Sequence, residues 1–180
     1  MNIANKLTIL RIILIPVFIV FFYIDIPHNL HWATMIFIIA SLTDLFDGLL
    51  ARKHDMVTNF GKLIDPIADK LLISGALVML TAIGWVHPVI TIILIGREFI
   101  ISGLRLIAAA EGKVLAASVL GKIKMIVQIV AVCAVLLQDG FLRQWGVPFG
   151  QILMWLSVAL AIVSLFDYFW KNRDVLKDMF

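Results

Sequence analysis

The stretch from residue 41 to residue 74 reads SLTDLFDGLLARKHDMVTNFGKLIDPIADKLLIS, and it carries four aspartates in a chain that is 62% hydrophobic. These aspartates are Asp44, Asp47, Asp65 and Asp69. At about 100° per helical residue, spacings of three and four residues keep each pair on one face of a helix. Each face also carries a glycine, Gly48 or Gly61. If the two faces meet, four carboxylates converge, and their mutual repulsion requires cations between them.

The rest of the chain is apolar enough to predict membrane helices around this stretch. The 180 residues have a mean hydropathy of +1.05, and apolar runs of about twenty residues recur, as in helical membrane proteins. We therefore predict an all-α membrane protein with six transmembrane helices and a single domain over residues 1–180. The predicted helices cover residues 7–26, 31–51, 66–86, 88–110, 119–138 and 147–170. The single cysteine, Cys133, excludes an internal disulfide.

The basic residues predict the orientation of these helices. Of the 15 Lys and Arg residues, Arg143 alone falls in a loop on the side away from the termini, and Arg97 falls inside the fourth helix. Because cytoplasmic loops are enriched in Lys and Arg, we expect both termini and the four aspartates on the cytoplasmic side. Arg11 interrupts the first apolar run, so we interpret that run as a membrane helix and not as a signal peptide.

The aspartates predict a site for hard divalent cations. Carboxylates in membrane helices are costly and commonly mark an ion or substrate site. Oxygen ligands suit Mg²⁺, Mn²⁺ or Ca²⁺, whereas zinc favours His or Cys, and neither residue type lies on the two aspartate faces. Bridging carboxylates can hold two metal ions about 4 Å apart, and such a pair can clamp a phosphoryl group.

The residues around the aspartates favour a ligand site over a simpler alternative. Gly48 and Gly61 leave room for a ligand to approach the backbone, and Arg52 could contact a phosphate or a carboxylate one turn beyond Gly48. The alternative is that the acids only cap helix ends. That alternative explains one aspartate pair more easily than two pairs that each carry a glycine.

The full pattern is similar to a known family signature. The string Asp44-x-x-Asp47-Gly48-x-x-Ala51-Arg52, eight residues, then Gly61-x-x-x-Asp65-x-x-x-Asp69 resembles that of the CDP-alcohol phosphotransferases. The resemblance implies six membrane helices, cytoplasmic termini, a homodimer, and transfer of a phosphatidyl-type group from a CDP-linked donor to an alcohol with release of CMP. It also implies two divalent cations, Mg²⁺ or Mn²⁺, held by Asp44, Asp47, Asp65 and Asp69. Asp69 also resembles the family's general base.

The same resemblance implies a nucleotide-binding surface. Its residues are Asn5, Thr8, Gly48, Ala51, Arg52 and Gly61. The start Asn5-x-x-Thr8-x-x-Arg11 resembles the family segment near the nucleotide, although Ala4 stands where proline is expected. The alternative for that start is a helix N-cap followed by an arginine that reaches the membrane surface.

Two further segments indicate the acceptor. Residues 96–105, GREFIISGLR, look like the corresponding segment of the phosphatidylglycerophosphate synthase branch, and they suggest Arg97 and Glu98 as pocket residues. The alternative is a structural Arg97–Glu98 ion pair. Arg105 and the two lysines of the segment at 121–124, GKIK, would form a cationic cluster, Arg105, Lys122 and Lys124. An acceptor that carries a phosphate needs such a cluster, and serine or inositol does not, although the lysines are also typical of membrane anchoring.

The charge distribution together with the family resemblance implies an enzyme of a bacterial cytoplasmic membrane. The expected reaction transfers the phosphatidyl group of CDP-diacylglycerol to sn-glycerol 3-phosphate, giving phosphatidylglycerophosphate and CMP at the cytoplasmic face. Membrane lipids are expected partners, and nucleic acid is not. The alternatives are a related transferase with another acceptor, such as a cardiolipin or phosphatidylinositol-phosphate synthase, and a cation carrier. A carrier is disfavoured because the acids cluster at one membrane face and no inverted halves are visible.

Overall fold

The computed structural model describes residues 3–54, 59–110, 112–113, 115, 118–137 and 148–173, and within these ranges the side chains at 9–43, 67–68 and from 70 onward. This part of the chain forms six helices and contains no strand, which confirms the predicted all-α class. The helices are α1 (Ile3–Val20), α2 (Asn29–His54), α3 (Asn59–Ala82), α4 (Pro88–Ala110), α5 (Val119–Leu136) and α6 (Phe149–Lys171).

The ends of α3 and α4 follow from local backbone chemistry. Gly84 and Gly112 have positive φ angles of 76° and 71°, a conformation that closes a helix end without a Cβ clash. After Gly112, the amide of Lys113 donates to the carbonyl of Ala108 at 2.8 Å, which satisfies a carbonyl that the helix itself leaves open. Pro88 begins α4 in the first turn, where a missing N–H costs nothing. Helix α4 therefore begins and ends at the predicted residues 88 and 110.

Helix α3 begins seven residues earlier than predicted, at Asn59 instead of residue 66. The early turns contain Lys62 and Asp65, which lower the hydropathy and hide the helix from an apolar-window prediction. Backbone hydrogen bonds do not require apolar side chains, so the helix continues through this polar stretch. As a result, Gly61 and Asp65 lie on the same helix as Asp69.

Helix α1 is shorter than predicted, ending at Val20 instead of residue 26. A turn follows it, and Asn29 stabilises the start of α2 because its side-chain oxygen accepts from the amide of Leu30 at 2.9 Å. His28, with a φ of 59°, reverses the chain just before that point. The connection therefore uses residues that the apolar pattern had assigned to the first helix.

The core brings all six described helices together, with small and aromatic residues at its centre. Phe18 of α1 and Phe37 of α2 are fully buried, with ring centroids 5.8 Å apart. Fully buried alanines allow the backbones to approach closely; those in this core are Ala33, Ala40, Ala76, Ala131 and Ala161. Helix α5 packs against α6, α1 packs against α2 and α3, and α4 packs against α6. This arrangement holds α3, α4 and α5 around the cavity described below.

The outer surface is apolar. Large hydrophobic side chains point away from the core, including Ile92, Leu106 and Phe166, each about 70% exposed. Two helices, α5 and α6, are long and apolar enough to cross a membrane by length and composition. Shorter apolar stretches cover Ile9–Val20, Asn29–Thr43 and Lys70–Ala82. An apolar exterior around an apolar core is typical of a membrane protein.

Gly150 gives a direct test of the α5–α6 packing. A Cβ built at Gly150 lies 2.8 Å from Cγ2 and 2.9 Å from the backbone nitrogen of Val135. Because the backbone can yield only if the helices separate, we expect Gly150→Ala to destabilise the fold by about 1–3 kcal/mol. The measurement is the midpoint of thermal unfolding in detergent. Gly103→Ala is the matched control, since nothing lies within 4 Å of its added Cβ. An unchanged midpoint in Gly150→Ala would contradict this packing.

Candidate functional site: a basic cavity between the helices

A cavity of about 290 Å³ lies between α3, α4 and α5 and reaches the end of α6. The charged residues in the described lining are four cations and one anion: Lys70, Arg97, Arg105, Lys122 and Glu98. Three helices supply them, since α3 contributes Lys70, α4 contributes both arginines and Glu98, and α5 contributes Lys122. An excess of cations in a cavity with apolar walls favours an anionic ligand.

The cavity is polar at one end and apolar at the other. Arg105 and Lys122 are exposed at the polar end, whereas Leu77 and Leu94 line the apolar end. At 1.5 Å per residue, Arg105 and Leu94 are about 16 Å apart along α4. A small anion is therefore expected at the polar end, where two exposed cations can contact it.

One carboxylate joins α4 to α5 beside the cavity. Glu98 Oε1 accepts from Lys124 Nζ at 2.6 Å and from Arg97 Nη1 at 3.1 Å. Lys124 is only 1% exposed, and Arg97 is 8% exposed. A buried cation requires a compensating anion, so Glu98 allows both cations to be buried.

Arg97 also contacts α6 and lies close against α5. Its Nη2 donates to the hydroxyl of Ser164 in α6 at 3.0 Å. The same Nη2 would lie 3.1 Å from a Cβ at position 121, which is tighter than an ordinary contact. Gly121 therefore leaves the room that the guanidinium occupies against α5. The ion-pair alternative for Arg97 and Glu98 is observed, and it coexists with their position in the cavity lining.

A second polar contact fixes the start of α5 against α6. The hydroxyl of Ser118, which precedes α5, donates to Asp167 Oδ2 at 2.5 Å. Lys171 Nζ lies 2.9 Å from Asp167 Oδ1. Since Lys122 follows Ser118 by one helical turn, this contact also fixes the backbone that carries Lys122.

Tyr168 supplies the α6 part of the cavity lining. Its side chain is 1% exposed, and the guanidinium carbon of Arg105 lies 5.6 Å from the centre of its ring. Within the described part of the chain its hydroxyl has no hydrogen-bond partner, and the same holds for the side-chain nitrogen of Gln128 and for Nε of Arg97. Buried polar groups normally have partners, so these side chains can offer hydrogen bonds to a ligand in the cavity.

The structure brings together four of the five residues that the sequence assigned to the acceptor site or pocket: Arg97, Glu98, Arg105 and Lys122. Lys124 has a different position, because it lies outside the lining and donates to Glu98. Sequence reasoning missed Lys70, Tyr168 and Gln128. Lys70 directly follows Asp69 and could have been suspected from that position, whereas no spacing links Gln128 or Tyr168 to the motifs.

The aspartate motif lies on two helices that contact each other. Helix α2 includes Asp44 and Asp47, α3 includes Asp65 and Asp69, and α2 packs against α3. The side chains of these four residues lie outside the described part. So do those of the predicted nucleotide-binding residues Asn5, Thr8, Gly48, Ala51, Arg52 and Gly61, although the helical backbone includes them all. Carboxylates at helical spacing on two packed helices fit Mg²⁺ or Mn²⁺ in ligand chemistry.

Comparison with known proteins gives the family. The family model of CDP-alcohol phosphatidyltransferases matches residues 1–163. A Bacillus subtilis protein is 42% identical, with 98% of this chain and 97% of the relative covered. Relatives from Rickettsia bellii and Wigglesworthia glossinidia brevipalpis are 38% and 35% identical, over 93% and 99% of both chains. All three are named CDP-diacylglycerol–glycerol-3-phosphate 3-phosphatidyltransferase. The chain therefore belongs to the CDP-alcohol phosphatidyltransferase family.

Proposed function

We propose that this chain transfers the phosphatidyl group of CDP-diacylglycerol to sn-glycerol 3-phosphate and releases CMP. The observation that carries the proposal is the cavity with four cationic side chains and one carboxylate, in a chain of this family. The acceptor brings a phosphate that needs cations, and a neutral alcohol does not. The relatives align with this chain over nearly their whole length, and their names support the same reaction.

The acceptor phosphate is assigned to the polar end of the cavity. Arg105 offers a planar guanidinium suited to two phosphate oxygens, and Lys122 and Lys70 add point charges. Lys124 serves the site indirectly in this proposal, because its ammonium holds Glu98, which in turn holds Arg97. Lys124 is therefore a positioning residue here and not a phosphate ligand.

The donor and the cations are assigned to α1, α2 and α3. Asp44, Asp47, Asp65 and Asp69 would hold two divalent cations, Mg²⁺ or Mn²⁺, which when bound neutralise the donor pyrophosphate and the phosphoryl group in transfer. The nucleotide would contact Asn5, Thr8, Gly48, Ala51, Arg52 and Gly61. These assignments rest on the family motif and on the helical spacing of the aspartates.

The chemical step needs a base for the acceptor. The free hydroxyl of the acceptor forms a new oxygen–phosphorus bond to the phosphatidyl phosphorus, and the bond from that phosphorus to the CMP oxygen breaks. We assign the Asp69 carboxylate to accept the hydroxyl proton. Asp69 lies in α3 next to Lys70, whose side chain lines the acceptor cavity. That adjacency supports a base near the acceptor.

The proposed membrane arrangement has six spans, both termini and the active site in the cytoplasm, and one domain over residues 1–180. The apolar exterior, the uneven distribution of basic residues and the bacterial relatives support a multi-pass protein of a bacterial cytoplasmic membrane. Family resemblance is the only support for a homodimer.

Two alternatives make different predictions. A transferase with another acceptor, such as a cardiolipin or phosphatidylinositol-phosphate synthase, would release CMP with that acceptor instead of glycerol 3-phosphate. A cation carrier would move a labelled cation across a vesicle membrane without CDP-diacylglycerol. The cationic cavity disfavours the carrier, because four cationic side chains along a path would repel a transported cation.

The test of the proposal is CMP release by the purified protein from CDP-diacylglycerol with a panel of acceptors. We expect release with sn-glycerol 3-phosphate and little release with serine, inositol phosphate or phosphatidylglycerol. Release that requires one of the other acceptors would contradict the proposal and identify the alternative. Labelled-cation flux in proteoliposomes tests the carrier separately.

The exposed cations of the cavity should control acceptor affinity. We expect Arg105→Ala to raise the KM for glycerol 3-phosphate by about 10- to 100-fold, because a charge-assisted contact with phosphate is worth roughly 1.5–3 kcal/mol. Lys122→Ala should act in the same direction. The KM for CDP-diacylglycerol should change far less, since the donor is assigned to other residues.

The control is Arg173→Ala, which removes an exposed cation stacked on Trp170 outside the cavity lining. Equal rises in both KM values in Arg105→Ala would contradict the acceptor assignment and favour a general structural effect. Lys124→Ala is not a suitable probe of acceptor binding, because it leaves the buried side of Glu98 without its nearest cation and should destabilise the fold.

A further inference from the structure

Tyr168 combines a buried, unpaired polar group with a ring that lies against a cation of the cavity, whereas Gln128 and Arg97 share only the first of these features. It lines the cavity, it is 1% exposed, and its hydroxyl lacks a hydrogen-bond partner within the described chain. A buried hydroxyl without a partner is unusual, because folding removes its bonds to water without replacing them. A ligand that carries a hydrogen-bond acceptor would give this hydroxyl a partner.

Its neighbours place Tyr168 at the polar end of the cavity. The guanidinium of Arg105 lies over its ring at 5.6 Å. The preceding residue, Asp167, accepts from Ser118 at 2.5 Å, one turn before Lys122 in α5. Ser164, one turn earlier in α6, accepts from Arg97. Tyr168 therefore lies beside Arg105 of α4, on the stretch of α6 that contacts α4 and the start of α5.

Its packing gives the ring a fixed position. Tyr168 belongs to a small buried cluster with Ile101, Ala108 and Leu115, at the contact between α4 and α6. Because the hydroxyl is buried and Tyr168 lines the cavity, a ligand in the cavity can supply the missing partner. The cations beside it select for an anion with several acceptor oxygens.

We propose that Tyr168 is an acceptor-binding residue whose hydroxyl donates a hydrogen bond to the phosphate of glycerol 3-phosphate, while its ring supports Arg105. This assignment rests on the proposed function. It makes Tyr168 a contributor to acceptor specificity, because a neutral alcohol would leave both the hydroxyl and the cations without a partner.

The rival role is purely structural, with the ring as a support for Arg105. Tyr168→Phe separates the two, because phenylalanine keeps the ring and its cation–π contact but removes the hydroxyl. Tyr168→Leu removes both. Tyr23→Phe is the matched control, since the other tyrosine of the chain is 74% exposed and outside the cavity lining.

The experiment measures KM for both substrates together with thermal stability in detergent. For Tyr168→Phe we expect the KM for glycerol 3-phosphate to rise about tenfold, with a change of less than about twofold in the KM for CDP-diacylglycerol. Without acceptor, the unfolding midpoint should equal or exceed that of the unmodified protein, because no bond is lost. With saturating acceptor, the unmodified protein should gain more stability than the variant. Tyr168→Leu should raise the acceptor KM further.

Distinct results would overturn the two claims. If the unmodified protein uses glycerol 3-phosphate and Tyr168→Phe has the same acceptor KM and the same acceptor-induced stabilisation, the Tyr168 assignment is wrong and the proposed function stands. A midpoint that falls in Tyr168→Phe without acceptor, with KM unchanged, would show a structural role and overturn the assignment. If the unmodified protein releases no CMP with glycerol 3-phosphate, the proposed function fails, and this assignment fails with it.

Discussion

Excess EDTA will abolish CMP release, and Mg²⁺ or Mn²⁺ added back will restore it. The reason is the motif of Asp44, Asp47, Asp65 and Asp69 on two helices that pack against each other. Carboxylates brought together at a membrane protein site repel one another unless cations neutralise them. The donor pyrophosphate adds further negative charge that the aspartates alone would repel. The measurement is CMP release against the concentration of free divalent cation.

Single Asp→Asn variants test this prediction at the motif, and an aspartate outside the motif serves as the control. Asp44→Asn should raise the Mg²⁺ concentration needed for half-maximal rate and weaken donor binding in parallel, and Asp47→Asn and Asp65→Asn should behave alike. Asp25→Asn, an exposed aspartate between α1 and α2, should change neither. Full turnover in excess EDTA would contradict the two-cation interpretation.

Asp69→Asn will lower kcat by about 10²–10⁴-fold, the usual range for loss of a general base. Asparagine keeps the size of the side chain but cannot accept the hydroxyl proton. Donor affinity should fall less in this variant than in Asp44→Asn, because Asp69 is assigned to the acceptor proton as well as to a cation. The measurements are turnover and donor binding by calorimetry, both at saturating Mg²⁺.

A parallel collapse of binding and rate in Asp69→Asn would remove the base assignment and leave only the role of a cation ligand. Asp69 is next to Lys70 in α3, and Lys70 lines the acceptor cavity. A base role therefore predicts a loss of turnover in Asp69→Asn that saturating acceptor and Mg²⁺ do not restore.

The helix bounds were predictable where the ends of an apolar stretch coincide with residues that begin or end a helix. Helix α4 begins at a proline and ends before a glycine of positive φ, so its predicted bounds are confirmed. Helix α3 was predicted too short because its first turns carry Asn59, Lys62 and Asp65. A hydropathy window detects segments that can lie in lipid, whereas a helix requires only its backbone hydrogen bonds and can extend into a polar stretch.

The site was predictable where its residues are close in sequence or lie in segments that resemble the family, as Arg105 and Lys122 do. The neighbours Arg97 and Glu98 stood out as a charged pair in an apolar helix, and Arg105 lies two turns further along the same helix. The contact between Glu98 and Lys124 joins two helices, and no periodicity within either helix reveals it. It places Lys124, which the sequence analysis predicted to bind phosphate, as a buried partner of Glu98.

Tyr168 shows a different limit of sequence reasoning. An aromatic residue near the end of an apolar helix is ordinary packing by composition. Its significance comes from the guanidinium over its ring and from a hydroxyl without a partner, and both depend on how α4, α5 and α6 pack. Side-chain pairing across helices is set by packing angle and register, which a single sequence does not encode locally.

The most direct test of the account follows the acceptor itself. The purified protein is incubated with CDP-diacylglycerol and sn-glycerol 3-phosphate that carries a radioactive phosphate, and the label is measured in the lipid extract alongside free CMP. The account predicts one labelled phosphate in lipid for each CMP released, with both signals lost in EDTA. CMP release without label in the lipid fraction would contradict transfer to glycerol 3-phosphate and indicate hydrolysis or another acceptor.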